Sequence, residues 1–504
     1  MSNPLFDALF APHIGKETPF LMLPEGGVIS HGTFMSMAAQ YAHVLRDMGL
    51  EPGDRLAAQV DKSPQALAVY AACVMAGVVF LPLNTGYTHL EVDYFIENSG
   101  ANLVLGREDA LRDLQRDCDR MGVRFETLEL DGTGSFPEAA QSQPDHFDVV
   151  DRAETDLAAL LYTSGTTGLS KGAMLTQRNL LSNTVVLKEY WRFTDSDVLI
   201  HALPIFHTHG LFVATNVMLL AGGAMIFMPR FNLDQVMQAL PHATTMMGVP
   251  TFYTRMLDDP AFTKELCSNM RLFISGSAPL LSETHKAFEE RTGHRILERY
   301  GMTETNMNTS NPYRHERRAG TVGMPLPGVE LKITDPDTGE EVPRGDVGMI
   351  EVRGDNVFKG YWQMPEKTAE ELRPNGFFIT GDLGRMSDDG YVTIVGRGKD
   401  LIISGGFNVY PKDVELVLDD LPGVLESAVI GAPHPDFGES VVAVLVPEPG
   451  AALDIEAVEH ALDGRLARFK QPRHYVIVDE LPRNTMGKVQ KKILRQTYGD
   501  VFAA

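Results

Sequence analysis

Eleven residues, Tyr162-Thr163-Ser164-Gly165-Thr166-Thr167-Gly168-Leu169-Ser170-Lys171-Gly172, constrain this chain more than any other stretch. The apolar run Leu157 to Leu161 ahead of them reads as a buried strand, and Asn179 to Trp191 behind them carries helical spacing. Between lie three Gly, three Thr, two Ser and one Lys. Glycine permits positive φ and close approach of backbone to a ligand. Successive backbone N–H groups in such a loop form an anion-binding concavity, and Lys171 adds a mobile positive charge. The inventory suits a polyphosphate; a Ser/Thr/Gly-rich surface turn is the alternative reading of the loop alone. Gly172, not Ser or Thr, follows Lys171, so the spacing is not G-x-x-x-x-G-K-[ST] and a Walker-type fold is not indicated.

A chain of 504 residues exceeds a single core and predicts about three or four folding units. With 44 basic against 67 acidic side chains the net charge is −23, which argues against non-specific binding to nucleic acid or to an anionic membrane. A polyanionic substrate would then need locally gathered positive charge. Cys73, Cys118 and Cys267 are far apart, with no metal-ligand spacing and no even set for a disulfide framework. A reducing, cytoplasmic setting is expected. No basic region precedes the first apolar residues, so no secretory signal is expected. Ala66 to Leu83 runs eighteen residues without a charge, close to the length of a membrane span. It is rich in Ala, broken at Gly77 and carries Pro82. It therefore reads as a buried helix from Pro64 to Ala76 and a strand at Val78 to Leu81.

Helical spacing from Ser30 to Leu50 with Gly49 as cap, a strand at Arg55 to Val60, and a turn and strand over Asn98 to Leu105 alternate in the manner of βαβ units. The fold class is α/β with mostly parallel sheets. Residues 131–156, rich in Gly, Pro and Asp, read as a loop. Leu199 to Gly210 reads as a strand broken at Pro204 that delivers His207 and His209 to a loop. No Cys or third His nearby completes a metal set around that pair. Arg271 to Pro279 and Leu297 to Thr305 each read as a strand running into a turn. Ligands in open α/β sheets sit beyond the carboxyl ends of strands, so both turns should converge on the 164–172 loop.

In that order these motifs resemble the adenylate-forming enzymes, a family of acyl-CoA synthetases, luciferases and peptide-synthetase adenylation domains. The resemblance spans the chain. It implies a large N-terminal domain of mixed, mostly parallel sheets flanked by helices (1–397, binding AMP and the acyl group) and a small mobile α+β domain (398–504), hinged near Lys399. It implies that Thr163, Ser164, Gly165, Thr166, Thr167, Gly168 and Lys171 hold ATP phosphates. Glu298, Tyr300, Gly301 and Met302 would line the adenine site, Thr303 would contact phosphate, and Glu304 with Thr167 would hold Mg²⁺. Asp382 and Arg397 would take the ribose; a turn residue capping its own backbone is the other reading of Asp382. Ser404, Gly405, Gly406 and Phe407 would line the pantetheine tunnel of coenzyme A, with Arg468 and Arg473 in a basic patch beside Arg465, Lys470, Lys488, Lys491 and Lys492. Lys488, in Pro-Arg-x-x-x-Gly-Lys, would bridge α-phosphate and acyl carboxylate, and in relatives this lysine is a target of a lysine acetyltransferase.

The segments LPIFHTHGLFVATN and ERYGMTETNMNTSNPY further resemble malonyl-CoA synthetases. That implies an acid pocket of His207, Thr208, Ser277, Arg299 and Met307, with malonate or methylmalonate as substrate. A buried arginine needs a partner. A second carboxylate on the substrate would supply one, and so would an internal Asp or Glu. The same first half-reaction also serves another short acid or the loading of a carrier protein.

Overall fold

The uncharged stretch after Ser63 is built as a core helix. Ser63 accepts a hydrogen bond from the Ala66 N–H, Pro64 opens the helix Pro64–Ala76, and Gly77 ends it in the left-handed region at φ 72°. Every residue from Ala66 to Ala76 is buried, which explains a helix with no polar face. Among the described residues no helix is long and apolar enough to cross a membrane. The computed structural model describes residues 2–108, 111–163, 170–336, 338–404, 407–434, 437–463, 465–466, 468–484 and 487–502. The expected ligands Ser164, Gly165, Thr166, Thr167, Gly168, Gly405 and Gly406 lie outside them.

The chain forms two compact units, Met1–Glu330 with Val352–Phe378, and Leu331–Glu351 with Ile379–Ala504. The strands of the first are Pro19–Met22 (β1), Val28–Ser30 (β2), Arg55–Ala58 (β3), Val79–Pro82 (β4), Leu103–Gly106 (β5), Arg124–Thr127 (β6), Leu157–Thr163 (β7) and Lys171–Thr176 (β8). They continue with Val198–His201 (β9), Ala224–Phe227 (β10), Thr245–Gly248 (β11), Leu272–Ser275 (β12), Leu297–Met302 (β13), Asn306–Ser310 (β14) and Met324–Pro325 (β15). One sheet runs β6-β5-β3-β4-β7-β8 and the other β15-β14-β13-β12-β11-β9-β10-β1-β2. The neighbours β9, β10, β11, β12 and β13 pair in parallel. Their carboxyl ends therefore share one edge, where the turns that follow β9, β12 and β13 meet.

Two expectations change here, and one strand is new. Lys171 opens β8, which pairs antiparallel with β7 so that Thr163 lies opposite Lys171, and the helix Gln177–Tyr190 begins after it, capped by Thr176 and Asn179. The strand before the histidines stops at His201, ahead of Pro204, and His209–Thr215 is a π-helical turn. The 131–156 stretch is not wholly loop, because Phe136 and Ala140 bury one side of a short helix, Ser135–Ala140.

The second unit carries the strands Glu330–Thr334 (β16), Gly348–Arg353 (β17), Phe378–Met386 (β18) and Val392–Arg397 (β19) in one sheet. Ile402–Ser404 (β20), Phe407–Val409 (β21), Val424–His434 (β22), Gly438–Pro447 (β23) and His474–Ile477 (β24) form another. Strand alternation gives this last sheet two apolar faces. Val429, Val441, Ala443 and Leu445 face the helices Pro411–Asp419 and Ile455–Leu462, while Ala428, Ile430, Val442 and Val444 face the helix Lys491–Tyr498.

Candidate active site

Two clusters meet at the carboxyl edge of the first unit. The first is built around Arg299 on β13, which is 4% exposed. Among the described residues its Nε and Nη2 have no hydrogen-bond partner, and no acidic group offsets its burial; only the Tyr253 hydroxyl does so. Burial pulls the guanidinium down to about 9. The neighbouring strand makes room for it: a Cβ on Gly276 would lie 2.4 Å from Arg299 Cζ, so glycine is required there by packing. Ser277 follows in the left-handed region at φ 70°, a strained position for a side-chain residue. Its Oγ lies 3.2 Å from His209 Nδ1. Among the described residues His209 Nε2 and Thr208 Oγ1 are buried without partners as well. Burial, then the charge of Arg299, holds His209 far below the usual histidine range, so the ring is neutral. His207, half-buried, accepts at Nδ1 from the His209 N–H at 3.5 Å.

Met307 reaches the same face through a β-bulge. Arg299 pairs with Ser310 and Tyr300 with Thr309, but Gly301 pairs with Met307, so Asn308 is the extra residue. Met307 is thereby set opposite Gly301 on the Arg299 side of the ribbon, and its Cε packs where a Gly301 Cβ would be, 2.6 Å away. Asn183 grips the bulge through Nδ2 to the Met307 carbonyl (2.9 Å) and Oδ1 from the Met307 N–H (3.2 Å). Asn356 Nδ2 donates to the Thr305 carbonyl (2.7 Å) and to Asn308 Oδ1 (3.1 Å).

The second cluster holds Lys171, Glu304, Tyr361 and Glu371. Lys171 Nζ lies 3.0 Å from Glu371 Oε1 and 4.1 Å above the Tyr361 ring. Glu304, 6% exposed, accepts from Tyr361 at 3.1 Å. One tyrosine thus links the end of the loop hairpin to the β13–β14 turn, which also carries Thr303. Thr163 closes that hairpin, its hydroxyl 3.4 Å from the Lys171 carbonyl. Tyr300 is buried with its hydroxyl beside Met302 Sδ. Glu298, also buried, faces His285 at 3.4 Å.

In the second unit Asp382 and Arg397 are cross-strand partners on β18 and β19, joined at 2.8 Å. Lys399 sits in the 3₁₀ turn Gly398–Asp400, where burial lowers its amine. Ser404 is buried and pairs with Phe407, whose exposed ring stacks on Phe469 at 4.8 Å. Lys488 stands exposed on a turn, its N–H donating to Asn484 Oδ1 at 2.9 Å. The basic patch is smaller than its residue count. Lys491 pairs with Glu415, Lys470 with Asp413 and Arg465 with Asp420, and Arg473 lies over the Phe437 ring; Arg468 is exposed.

Parallel strands whose carboxyl ends share one edge, flanked by helices, define an α/β fold of the kind that binds ligands at that edge. Residues 15–362 match the AMP-binding enzyme family and residues 413–488 the AMP-binding enzyme C-terminal domain. The chain belongs to the AMP-binding enzyme family. It is 34% identical over 478 residues to a malonate–CoA ligase of Arabidopsis thaliana, covering 88% of this chain and 78% of that one. It is 35% identical over 490 residues to a feruloyl-CoA synthase of Amycolatopsis sp, covering 95% and 97%. The crystal structure of ATP-bound MatB from Rhodopseudomonas palustris superposes with a TM-score of 0.98 at 56% identity, over 100% of both chains.

Proposed function

We propose that this chain is an AMP-forming malonate–CoA ligase: it activates malonate with ATP to an acyl-adenylate, releasing pyrophosphate, and passes the acyl group to CoA. The observation that carries the acid is Arg299, a buried guanidinium that has, among the described residues, two unpartnered donor nitrogens and no carboxylate offsetting its burial. A second carboxylate on the substrate supplies the partner through a charge-assisted pair, with Thr208, Ser277 and Met307 closing the short pocket. Neutral His209, given no role in the acid pocket by the motif reading, adds a donor or acceptor at Nε2, and half-buried His207 is assigned to the same pocket.

Lys171 is assigned to the ATP phosphates with Thr163 and the loop residues Ser164, Gly165, Thr166, Thr167 and Gly168. Tyr300, Gly301, Met302 and Glu298 are assigned to the base, Thr303 to phosphate, and Asp382 and Arg397 to the ribose. A buried carboxylate at Glu304 fits Mg²⁺, which takes one or two carboxylates beside substrate phosphates; Thr167 is its second proposed ligand. Bound there, the ion supplies neutralising charge at the phosphoryl oxygens. Lys488 is assigned to the reacting phosphate and carboxylate. The body 398–504 is proposed to turn about Lys399, bringing Ser404, Gly405, Gly406 and Phe407 to the pantetheine arm, with Arg468 and Arg473 toward the CoA phosphates. Methylmalonate as a second substrate, acetylation of Lys488 and a cytoplasmic location belong to the same proposal.

Pyrophosphate exchange and thioester formation with malonate, methylmalonate, acetate and octanoate test it. Malonate should be the best acid. Activity with acetate or octanoate and none with malonate would refute the diacid.

A further inference from the structure

The segment 359–362 runs alongside β8 and is tied to it by three backbone hydrogen bonds around one antiparallel bridge. Lys359 N–H donates to the Met174 carbonyl (2.9 Å), Met174 N–H to that of Gly360 (3.0 Å) and Trp362 N–H to that of Gly172 (2.8 Å). Ala173 thereby faces Tyr361 across an antiparallel bridge, and the Tyr361 ring lies beneath the Lys171 ammonium at 4.1 Å. The Tyr361 hydroxyl is 3.1 Å from Glu304 Oε1 and 2.6 Å from Glu371 Oε2. Glu371 also takes Lys171 and Lys367, each at 3.0 Å. Tyr361 is 2% exposed. The phenol carries a single O–H, which the two carboxylates share, Glu371 as the nearer acceptor and Glu304 as the farther.

We propose that Tyr361 is a positioning residue with two separable parts: its ring seats Lys171 for the nucleotide, and its hydroxyl fixes Glu304 for a divalent cation. The proposal rests on the assignment of Lys171 to phosphate and Glu304 to metal. A cation over an aromatic face is held without consuming its N–H donors, so Lys171 can be seated there and still donate. A carboxylate held at Oε1 presents Oε2 in a fixed direction. Glu371 anchors both parts, as the nearer acceptor of the shared phenol proton and as counter-charge of the lysine. No sequence motif marks Tyr361; its place depends on backbone pairing across nearly two hundred residues.

The experiment is equilibrium ATP binding by calorimetry on the full chain, in EDTA and across a Mg²⁺ titration. Tyr361→Phe keeps the ring and should leave ATP binding in EDTA within about twofold of wild type. It should raise the Mg²⁺ concentration for half-maximal tightening about three- to tenfold. Tyr361→Leu should also weaken binding in EDTA. An unchanged Mg²⁺ midpoint in Tyr361→Phe overturns the proposal, and so does an equal loss under both conditions, which is the mark of packing alone. Failure of the underlying assignment looks different. Lys171→Ala and Glu304→Gln would then bind ATP and Mg²⁺ as the wild type does, and the proposal would fall with it.

Discussion

Most arginines keep their charge at any accessible pH, but burial without an acid brings Arg299 down to about 9. Binding of a second carboxylate needs the charged form, so malonate recognition should fade as pH rises through that value. Because kcat/KM reports the free enzyme, its value for malonate should drop about tenfold per pH unit above pH 9, whereas the KM for ATP should not follow. The unfolded chain holds this proton to a higher pH than the folded chain does. This group therefore makes folding more favourable as pH rises above about 9, and the loss of malonate recognition is not explained by unfolding at this site. A kcat/KM for malonate that is flat to pH 10.5 contradicts the assignment. At this scale Arg299, Thr208 and Ser277 were legible because they lie beside recognisable motifs. His209 was visible only as half of a metal pair, since its partner Ser277 is 68 residues away. Gly276 was legible only as a turn residue, since the atoms it admits belong to the next strand.

Among the elements, the helix Pro64–Ala76 and its bounds were readable from capping and composition, which act locally. Strand β8 was not. Lys171 to Thr176 contains a glycine and too few alternating positions to announce itself, and its pairing with β7 and residues 359–362 is tertiary. The bulge at Asn308 was equally hidden, being defined by register with β13. It has a specific consequence. Asn356→Ala removes the grip on Thr305 and Asn308, so Met307 can retreat from the pocket and admit a methyl branch. The ratio of kcat/KM for methylmalonate to that for malonate should rise about three- to thirtyfold, within the reach of one methylene's discrimination. Side-by-side kinetics with the two acids check this; an unchanged ratio with both values falling together would make the asparagine purely structural.

For the whole molecule, the resemblance carried the order of motifs across both units, but which charges stay available depends on the fold. Lys470, Lys491 and Arg465 are engaged by Asp413, Glu415 and Asp420, leaving a narrower cationic surface than the sequence suggested. Lys488 is assigned to the first half-reaction alone. Lys488→Ala should lower pyrophosphate exchange by at least about a hundredfold and spare thioester formation from supplied malonyl-adenylate; equal loss in both assays would make its role structural. The acid assignment meets its most direct test in the ratio of kcat/KM for malonate to that for propanoate, measured in the wild type and in Arg299→Leu. Loss of a buried ionic partner costs about 3–5 kcal/mol. The wild-type ratio should exceed about a hundred and fall to near one in the variant, whereas a ratio that survives the substitution would contradict a guanidinium-held diacid.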